Sequence, residues 1–295
     1  MIETSVVIRT KDEAAGLGTL LCALGEQSRP AGETIVVDSG SRDSTLAIAR
    51  GWGARILELD PEQFSFGRAL NLGSAAASGE FLVYLSAHAC PVDEQYLERL
   101  LAPFVEPQVA GVYGRQIPWP KCNVFEASAI EAAFPAGARQ QADDFFFSAA
   151  NCAVRRARWE DRPFNEDLPG CEDQAWAKWA IGAGYRIIYE PTAEVFHSHN
   201  EGLRGVYRRS RREAIGDQSN GRLPRLDEAA KQQLRREFRR RCREHIGIAL
   251  ARRAPCLAPW GVLRCLAYSL GKYRGMRQAS VTATGGRGKQ CESLR

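Results

Sequence analysis

The chain has 295 residues, of which 44% are hydrophobic, 25% charged and 9% aromatic. This length suits one large domain or two modest ones, and the composition excludes a disordered, collagen-like or coiled-coil protein. No apolar run reaches the roughly 18 residues that indicate a membrane-spanning helix. The first residues lack the basic and apolar regions of a signal peptide, so we expect a cytoplasmic protein.

The formal net charge of +5 conceals an uneven distribution of charge along the chain. Between Arg204 and Arg243 there are 14 Lys and Arg residues against five Asp and Glu residues, so the remainder of the chain is net negative. A basic segment of this kind favours a phosphate-containing ligand, a nucleic acid or an anionic membrane surface. Any such partner is therefore expected at the C-terminal third.

The first half of the sequence alternates strand and helix patterns. The predicted strands are Ser5–Thr10, Glu33–Val37, Ala54–Leu59 and Phe81–Leu85, and the predicted helices are Leu17–Glu26, Ser44–Arg50, Gly67–Ala77 and Pro91–Val105. This alternation is typical of βαβ units, which form a mostly parallel, Rossmann-like α/β sheet with helices on both faces. Ligands of such sheets bind beyond the carboxyl ends of the strands, which points to the loops 10–13, 38–43 and 86–91.

The second half is less regular and becomes helical. Its predicted elements are a strand at Asn151–Arg155, a helix at Glu172–Ala183, short strands at Arg186–Glu190 and Glu194–Phe196, and, in a pattern that is helical from Leu203 onward, helices at Asp227–Leu250 and Pro259–Arg277. We therefore expect an α/β domain over residues 1–200 and a basic helical extension over 201–295. The extension is expected to end in a flexible tail from Gly285.

Polar side chains occupy two of the loops that follow predicted strands. Asp38 ends the second strand, and its carboxylate can accept the imide N–H of a uracil or thymine ring. Asp38 and Asp43 can equally well cap the turn and the next helix. His88 follows the fourth strand and can ligate a metal ion through a neutral imidazole, although an isolated loop histidine is more often simply hydrogen-bonded.

Two further sets of polar residues stand in the second half. Glu172 and Asp173 begin a predicted helix, where the helix dipole favours acidic residues. A carboxylate at this point can also act as a general base. His197 and His199 share one face if their segment is extended, a spacing that alone is a weak indication of a metal site.

Taken in order, these segments resemble the family 2 glycosyltransferases with the GT-A fold, and within that family the rhamnosyltransferase-like branch that builds polysaccharides. The matching segments are VVIRTKDE from Val6, IVVDSGSRDST from Ile35, FSFGRALNLG from Phe64, GEFLVYLSAHACP from Gly79, NCAVR from Asn151, PFNEDLPGCEDQ from Pro163 and GYRIIYEPTAEVFHSH from Gly184. They lie between Ser5 and Asn200, about two thirds of the chain. Each motif is modest, but seven in the same order are specific.

The resemblance implies an inverting transfer of a sugar from a nucleotide-diphosphate sugar to a hydroxyl group of a glycan or lipid-linked glycan, with a divalent metal ion, Mg²⁺ or Mn²⁺. Asp173 would deprotonate the acceptor, with Glu172 beside it. The implied nucleotide-sugar ligands are Thr10, Glu13, Asp38, Arg68, Ser86, Arg208 and Arg209, and the implied ligands of the metal or diphosphate are His88, His197 and His199. Such residues suit a reaction in which negative charge builds on the leaving diphosphate.

The sequence departs from the family at its Asp-x-Asp metal motif. Ser86 and His88 occupy the places of the two acids. Three outcomes are open: His88 replaces the acid as a ligand together with His197 or His199, arginines compensate for weak metal binding, or the chain is inactive. The first is favoured because Asp173 and its surroundings match the family.

The basic C-terminal helices admit further interpretations. They can form a solvated helical subdomain, or they can contact an anionic membrane through arginines and an apolar stripe of Trp260, Leu263, Leu266, Ala267 and Leu270. Nucleic-acid binding is disfavoured because the arginines follow no known docking motif and no aromatic residues interleave with them. The alternative functions are therefore a degenerate nucleotide-sugar-binding or scaffold protein, or a basic-helix binding module.

Overall fold

The contacts of the chain divide it into two units. The computed structural model describes residues 3–137 and 145–290, the side chains of 282–290 excepted. The first unit comprises Met1–Asp167 and Glu172–His199, and the second comprises Leu168–Cys171 and Asn200–Arg295. The short segment Leu168–Cys171 therefore belongs with the C-terminal helices, so a single boundary at residue 200 does not describe the division of the chain.

The first unit alternates strands and helices over its first half, as the sequence predicts. Its strands are β1 (Thr4–Thr10), β2 (Glu33–Asp38), β3 (Arg55–Glu58), β4 (Phe81–Ser86), β5 (Cys90–Pro91), β6 (Val109–Ile117), β7 (Asn151–Arg155) and β8 (Arg186–Phe196). Its helices are α1 (Ala14–Gly25), α2 (Thr45–Trp52), α3 (Phe66–Ala76), α4 (Tyr96–Leu101), α5 (Val124–Ala133), α6 (Arg156–Asp161) and α7 (Glu172–Gly182).

The strands form one 8-stranded sheet of order β3-β2-β1-β4-β7-β6-β8-β5. Strands β3, β2, β1 and β4 are parallel to one another. Strand β7 is antiparallel to both β4 and β6, β8 is parallel to β6, and β5 pairs antiparallel with β8. The predicted α/β class, a mostly parallel sheet with helices on both faces, is confirmed.

Strand β1 contributes to the core on both faces of the sheet, because successive side chains of a strand point to opposite sides. Val6 and Ile8 pack with the buried leucines of α1, including Leu17. Val7 packs on the other face with Leu70 of α3. Burial on both faces explains why this strand appears in the sequence as a continuous apolar run rather than an alternating one.

The predicted helix Pro91–Val105 is wrong at its start. Cys90 and Pro91 form β5 against Phe196 and Val195 of β8, and the helix begins only at Tyr96. Proline is tolerated there because β5 lies at the edge of the sheet, where its missing N–H breaks no ladder.

The two short strands predicted around Pro191 are a single strand, β8. Its pairing with β6 shifts register between Gly114 and Arg115, which are paired with Glu190 and Glu194. The residues between Glu190 and Glu194 bulge out of the ladder, so the proline is accommodated without ending the strand.

Strand β6 and helix α5 have no counterpart among the predicted elements. Strand β6 contains Gly111 and Gly114, a residue type that is depleted in strands. A Cβ at Gly114 would lie 2.2 Å from the carbonyl oxygen of Ala193, so only glycine permits this approach of β8. The glycines that close packing requires therefore obscure the strand pattern.

The second unit is helical, with α8 (Leu203–Ser219), α9 (Glu228–Ala251) and α10 (Ala258–Gln290). Close approach of α10 to α8 depends on Gly275, where a Cβ would lie 2.2 Å from the carbonyl oxygen of Arg211. Helix α10 continues beyond the predicted end at Arg277 and through most of the predicted tail, of which residues 291–295 lie outside the described part. Over the described residues, no helix combines the length and apolarity needed to cross a bilayer.

Candidate functional site

Backbone hydrogen bonds join the predicted loops at the carboxyl ends of β1, β2 and β4. The N–H of Ser39 donates to the carbonyl of Thr10 at 3.1 Å, and the N–H of Ala87 donates to the carbonyl of Arg9 at 3.2 Å. The loop residues of interest therefore share one edge of the sheet, as expected for a parallel arrangement.

Asp38 is buried at this edge and holds its own loop together. Its Oδ2 accepts the N–H groups of Gly40 and Ser41, each at 2.9 Å, and its Oδ1 accepts the hydroxyl of Ser41. Gly40 has a φ of +89°, a left-handed conformation that favours glycine. The turn-capping role is thus present, and base recognition by Asp38 stays a prediction.

Thr10 and Glu13 flank the loop that follows β1. The hydroxyl of Thr10 is buried and has no hydrogen-bond partner among the described residues. The N–H of Glu13 donates to the hydroxyl of Thr45 at 2.9 Å, which ties this loop to the start of α2. The side chain of Glu13 points to His88 instead, with its Oε1 3.0 Å from Nδ1 of that ring.

Three histidines that the resemblance named as possible ligands come together. The potential ligand atoms of His88, His197 and His199 all lie within 4.8 Å of one another. The rings of His88 and His197 stack at a centroid distance of 4.9 Å, and that of His199 meets both edge to face. The loop after β4 and the end of β8 therefore converge on one point.

Hydrogen bonds at Nδ1 orient two of these rings. His88 faces the carboxylate of Glu13, and Nδ1 of His197 lies 2.7 Å from Oε1 of Gln116, whose amide nitrogen donates to Ser148 at 2.8 Å. Both acceptors favour the tautomer that carries its proton on Nδ1 and a lone pair on Nε2. Nε2 of His88 is buried and has no hydrogen-bond partner among the described residues.

The third histidine is anchored through its backbone. The N–H of His199 donates to Oε1 of buried Glu126 at 2.7 Å, and Asn123 caps α5 and donates to the second oxygen of that carboxylate at 3.0 Å. Gln116 and Glu126 were missed by the sequence analysis, because they lie on β6 and α5. The S/T/N-x-x-E pattern of Asn123 and Glu126 is a helix-start signal that could have located α5.

The histidine cluster fits a divalent metal ion. Imidazole nitrogens whose opposite ring nitrogen is hydrogen-bonded to a carboxylate or amide are common metal ligands. The donor set is entirely nitrogen, whereas Mg²⁺ prefers oxygen ligands and transition-metal ions accept imidazole. The predicted residues therefore suit a transition-metal ion better than Mg²⁺.

Asp173 lies beside the segment that pairs with the end of β4. Its Oδ2 accepts the N–H of Ala149 at 2.9 Å, and the carbonyl of the next residue, Ala150, accepts the N–H of Ser86 at 3.3 Å. Burial raises the pKa of Asp173, and the N–H groups of Ala149 and Gln174 together with the Arg9 guanidinium lower it in part. Asp173 is thus linked through two successive residues, Ala149 and Ala150, to the start of the loop that carries His88.

Arg9 is a residue of this region that the sequence analysis did not single out. Its Nη1 lies 3.6 Å from Oε1 of Glu172, and its guanidinium lies over the ring of Phe66 at 5.1 Å from the centroid. Arg9 lies in β1, but the residues around an arginine in an apolar strand do not indicate which distant residue it contacts.

The remaining predicted ligands are Arg68, Arg208 and Arg209. Arg68 is exposed in the first turn of α3, which Ser65 caps through a hydrogen bond of 3.1 Å. Arg208 and Arg209 lie on α8 in the second unit, where Nε of Arg209 is 3.0 Å from a carboxylate oxygen of Glu201. Their contact with a leaving diphosphate stays a prediction.

Comparison with known proteins agrees with the predicted family. Residues 5–162 match the model of glycosyl transferase family 2. The chain is 28% identical over 220 residues to the O-antigen chain rhamnosyltransferase RfbN of Salmonella typhimurium, a match that covers 70% of each protein. It is 30% identical over 198 residues to the O-antigen chain rhamnosyltransferase WbaN of Salmonella anatum, covering 63% of each. The two alignments thus span about two thirds of the length of each relative.

Solved structures share the fold. A mannosyltransferase from Pyrobaculum calidifontis, in complex with GDP-Man and Mn²⁺, has a TM-score of 0.59 at 20% identity, over 97% of this chain and 75% of the other. Glucosyl-3-phosphoglycerate synthase from Mycobacterium tuberculosis, in complex with Mg²⁺ and UDP, has a TM-score of 0.58 at 21% identity, over 77% and 81%. The family model covers more than half of the residues, and the chain belongs to glycosyl transferase family 2.

Proposed function

We propose that the chain transfers a sugar from a nucleotide-diphosphate sugar to a hydroxyl group of a growing glycan, with inversion at the anomeric carbon. Asp173 is the general base. The observation that carries the proposal is the position of Asp173, whose carboxylate is held by the N–H of Ala149 beside the end of β4, next to the loop of His88. The relatives that act on O-antigen chains support a polysaccharide acceptor.

Asp173 is suited to take a proton from an alcohol. Each of its oxygens accepts one backbone N–H, from Ala149 and from Gln174 at 2.8 Å. A carboxylate oxygen can accept a second hydrogen bond, so an acceptor hydroxyl can still bind. Its raised pKa makes it a stronger base than an ordinary aspartate. The acceptor oxygen attacks opposite the leaving diphosphate, and a single step of this kind inverts the anomeric centre.

The donor occupies the edge formed by the loops after β1, β2 and β4. We assign Thr10, Asp38 and Ser86 to the nucleotide side of this edge, and Arg68, Arg208 and Arg209 to the diphosphate. The buried hydroxyl of Thr10, which has no hydrogen-bond partner in the described part of the chain, supports its assignment. Glu13 is assigned to the orientation of His88, because its carboxylate is already engaged there.

His88, His197 and His199 hold a divalent metal ion in this proposal. When bound, the ion neutralises negative charge on the departing diphosphate. The convergence of the three rings and the hydrogen bonds of Glu13 and Gln116 at two of them support the site. The cluster takes the place of the family's Asp-x-Asp motif.

Peripheral contact with an anionic membrane belongs to the same proposal. Helix α10 exposes Trp260, Leu263, Leu266 and Leu270, whose exposed fractions are 40–48%. A groove of about 710 Å³ between α9 and α10 combines apolar and basic residues, namely Leu234, Phe238, Leu266, Leu270, Tyr273, Lys231, Arg235 and Arg239, with Glu228 and Ser269. An apolar face beside several cations matches a negatively charged lipid surface.

Vesicle flotation tests the membrane contact. We expect the full chain to float with vesicles that contain an anionic lipid and to remain behind with neutral ones. Substitution of Leu266 and Leu270 by serine, or of Arg235 and Arg239 by glutamate, should each abolish flotation. Equal recovery of all variants, or no flotation of the unmodified chain, would contradict the contact.

The catalytic proposal is tested with Asp173→Asn. We expect turnover to fall about 10²- to 10⁴-fold, the usual contribution of a positioned base, while UDP, GDP or dTDP, whichever binds, stabilises both proteins equally in a thermal-shift assay. The exposed Asp167→Asn is the matched control and should keep full activity. Undiminished turnover in Asp173→Asn rules the assignment out, and nucleotide binding without any turnover favours a degenerate binder.

A further inference from the structure

Arg9 places a positive charge next to the acidic pair that begins α7. The side chains of Arg9 and Glu172 are only 14% and 5% exposed, and Nη1 of the arginine lies 3.6 Å from Oε1 of the glutamate. The guanidinium is also covered on one side by Phe66, at 5.1 Å from the ring centroid. Its position is therefore determined by packing as well as by charge.

The hydrogen bonds of the fold do not account for this arginine. Its Nε and Nη1 atoms are buried and make no hydrogen bond to any described residue. Burying guanidinium N–H groups without hydrogen bonds is unfavourable, and a buried ion pair is weak evidence for a stabilising role. A function at the neighbouring carboxylates accounts for the charge.

We propose that Arg9 is a positioning residue for the general base: its guanidinium holds Glu172 by an ion pair and keeps the adjacent Asp173 in the carboxylate form that accepts the proton. The inference rests on the proposed function. Asp173 carries its own anchor to Ala149, so Arg9 acts on its charge state and on Glu172 rather than on its direct contacts.

The groups that face Asp173 make the effect of Arg9 specific. Among the described residues, Arg9 from β1 and the thiol of Cys152 from β7 interact electrostatically with Asp173, and Glu172 precedes it on its own helix. Burial raises the pKa of the thiol well above its usual range, so it stays neutral. Arg9 thus opposes the effect of burial on Asp173 and also pairs with Glu172.

Loss of this charge has a predictable sign. Burial already raises the pKa of Asp173, and Arg9 lowers it. Without Arg9 the pKa rises further, so a smaller fraction of the enzyme carries an ionised base at acidic pH. The acidic limb of the pH–rate profile should move to higher pH, and activity should return as the pH is raised.

The test compares kcat/KM as a function of pH for the full chain and for Arg9→Met, Arg9→Lys and Arg155→Met. Arg155 is the matched control, because it also lies near a strand end, pairs with Glu80 at 2.7 Å and covers aromatic rings, but near the opposite ends of the strands. At pH values on the acidic limb, we expect kcat/KM of Arg9→Met to be about 10-fold or more lower than that of the unmodified chain. At higher pH, kcat/KM should approach the value of the unmodified chain. Arg9→Lys should restore most of the profile, and Arg155→Met should not shift it.

An equal reduction of the rate at all pH values, or an unshifted profile in Arg9→Met, overturns the inference. If Arg9→Met does not fold, as judged by its thermal transition, Arg9→Lys is compared with the unmodified chain. A shift of its acidic limb in the same direction, but smaller, then decides the test. Full activity of Asp173→Asn would instead refute the proposed base. The two failures are therefore distinguishable.

Discussion

The Nδ1 atom of His88 lies 3.0 Å from Oε1 of Glu13, and this contact joins the loop after β4 to the residue that precedes α1. A carboxylate at Nδ1 sets the tautomer of an imidazole and increases the electron density at Nε2. The resemblance implied that Glu13 is a ligand of the nucleotide sugar. In the structure its carboxylate lies against His88, which occupies the place of an acid of the family's metal motif, and its contact with the donor stays a prediction.

Removal of this carboxylate should weaken metal binding. Outer partners of metal-bound histidines contribute about 10- to 100-fold in metal affinity, and we expect a loss in that range for Glu13→Ala. The measurement is the Mn²⁺ concentration that gives half of the maximal thermal stabilisation. Glu26→Ala, an exposed acid just after α1, is the control. An unchanged midpoint in Glu13→Ala would show that the contact serves another purpose.

Direct removal of a ligand should have a larger effect. His88→Ala should raise the metal concentration needed for both stabilisation and turnover, and the unmodified chain should respond to Mn²⁺ at lower concentration than to Mg²⁺, because imidazoles are poor ligands of Mg²⁺. His245→Ala, which changes a histidine of the second unit, should leave the titration unaltered. Identical metal titrations for the His88 variant and the unmodified chain would exclude His88 as a ligand.

The loop of His88 depends on a glycine of α1. A Cβ at Gly16 would lie 2.9 Å from the carbonyl oxygen of Ala87 and 3.1 Å from Cα of His88, whereas one at Gly18 would meet only a methyl of Ile48 at 3.9 Å. Gly16→Ala should therefore displace the loop and weaken Mn²⁺ binding. Gly18→Ala should keep metal binding and gain up to about 1 kcal/mol of stability from its helix propensity. Equal metal affinities would contradict the packing argument.

The second unit offers a test of stability against pH. Burial raises the pKa of Glu213 on α8, although Arg209 and Arg212 oppose the effect. Because the folded chain binds this proton more tightly than the unfolded chain, the contribution of Glu213 to the free energy of unfolding is greatest below its unfolded pKa and decreases as the pH rises through its folded pKa. Glu213→Gln should gain stability relative to the unmodified chain over that interval, as measured by urea denaturation.

Glu228 provides the control of opposite sign. A hydrogen bond and ion pair with Lys231 lower its pKa, so its contribution is present above the unfolded pKa and is lost as the pH falls through the folded pKa. The difference in the free energy of unfolding between Glu228→Gln and the unmodified chain should therefore disappear at acidic pH. The same trend for both variants would disagree with the assigned environments.

Several parts of the site could be predicted because their signals are local. Asp38 and His88 stand directly after apolar runs, and parallel strands bring such loops to one edge of the sheet. Asp173 and the pair His197 and His199 were identified by their motifs within the family's order of segments. Such predictions need only the pattern of neighbouring residues and the rule that relates strand direction to loop position.

The partners of these residues could not be predicted in the same way. Gln116 and Glu126 lie on β6 and α5, whose patterns are obscured by packing glycines or too short to identify. The approach of Arg9 to Glu172 joins residues that are 163 positions apart, and neither motif indicates the other. These contacts arise only when the sheet and its helices pack.

The α/β class, the family and most of the candidate site residues follow from local hydrophobic periodicity and from the order of the motifs. The tertiary structure decided which side chains meet: Glu13 with His88, Gln116 with His197, and Arg9 with Glu172. It also decided that β8 is continuous and that α10 extends through residue 290. Hydrogen bonds and ion pairs act over a few ångströms in space, whereas the pattern in a sequence reports only what is near along the chain.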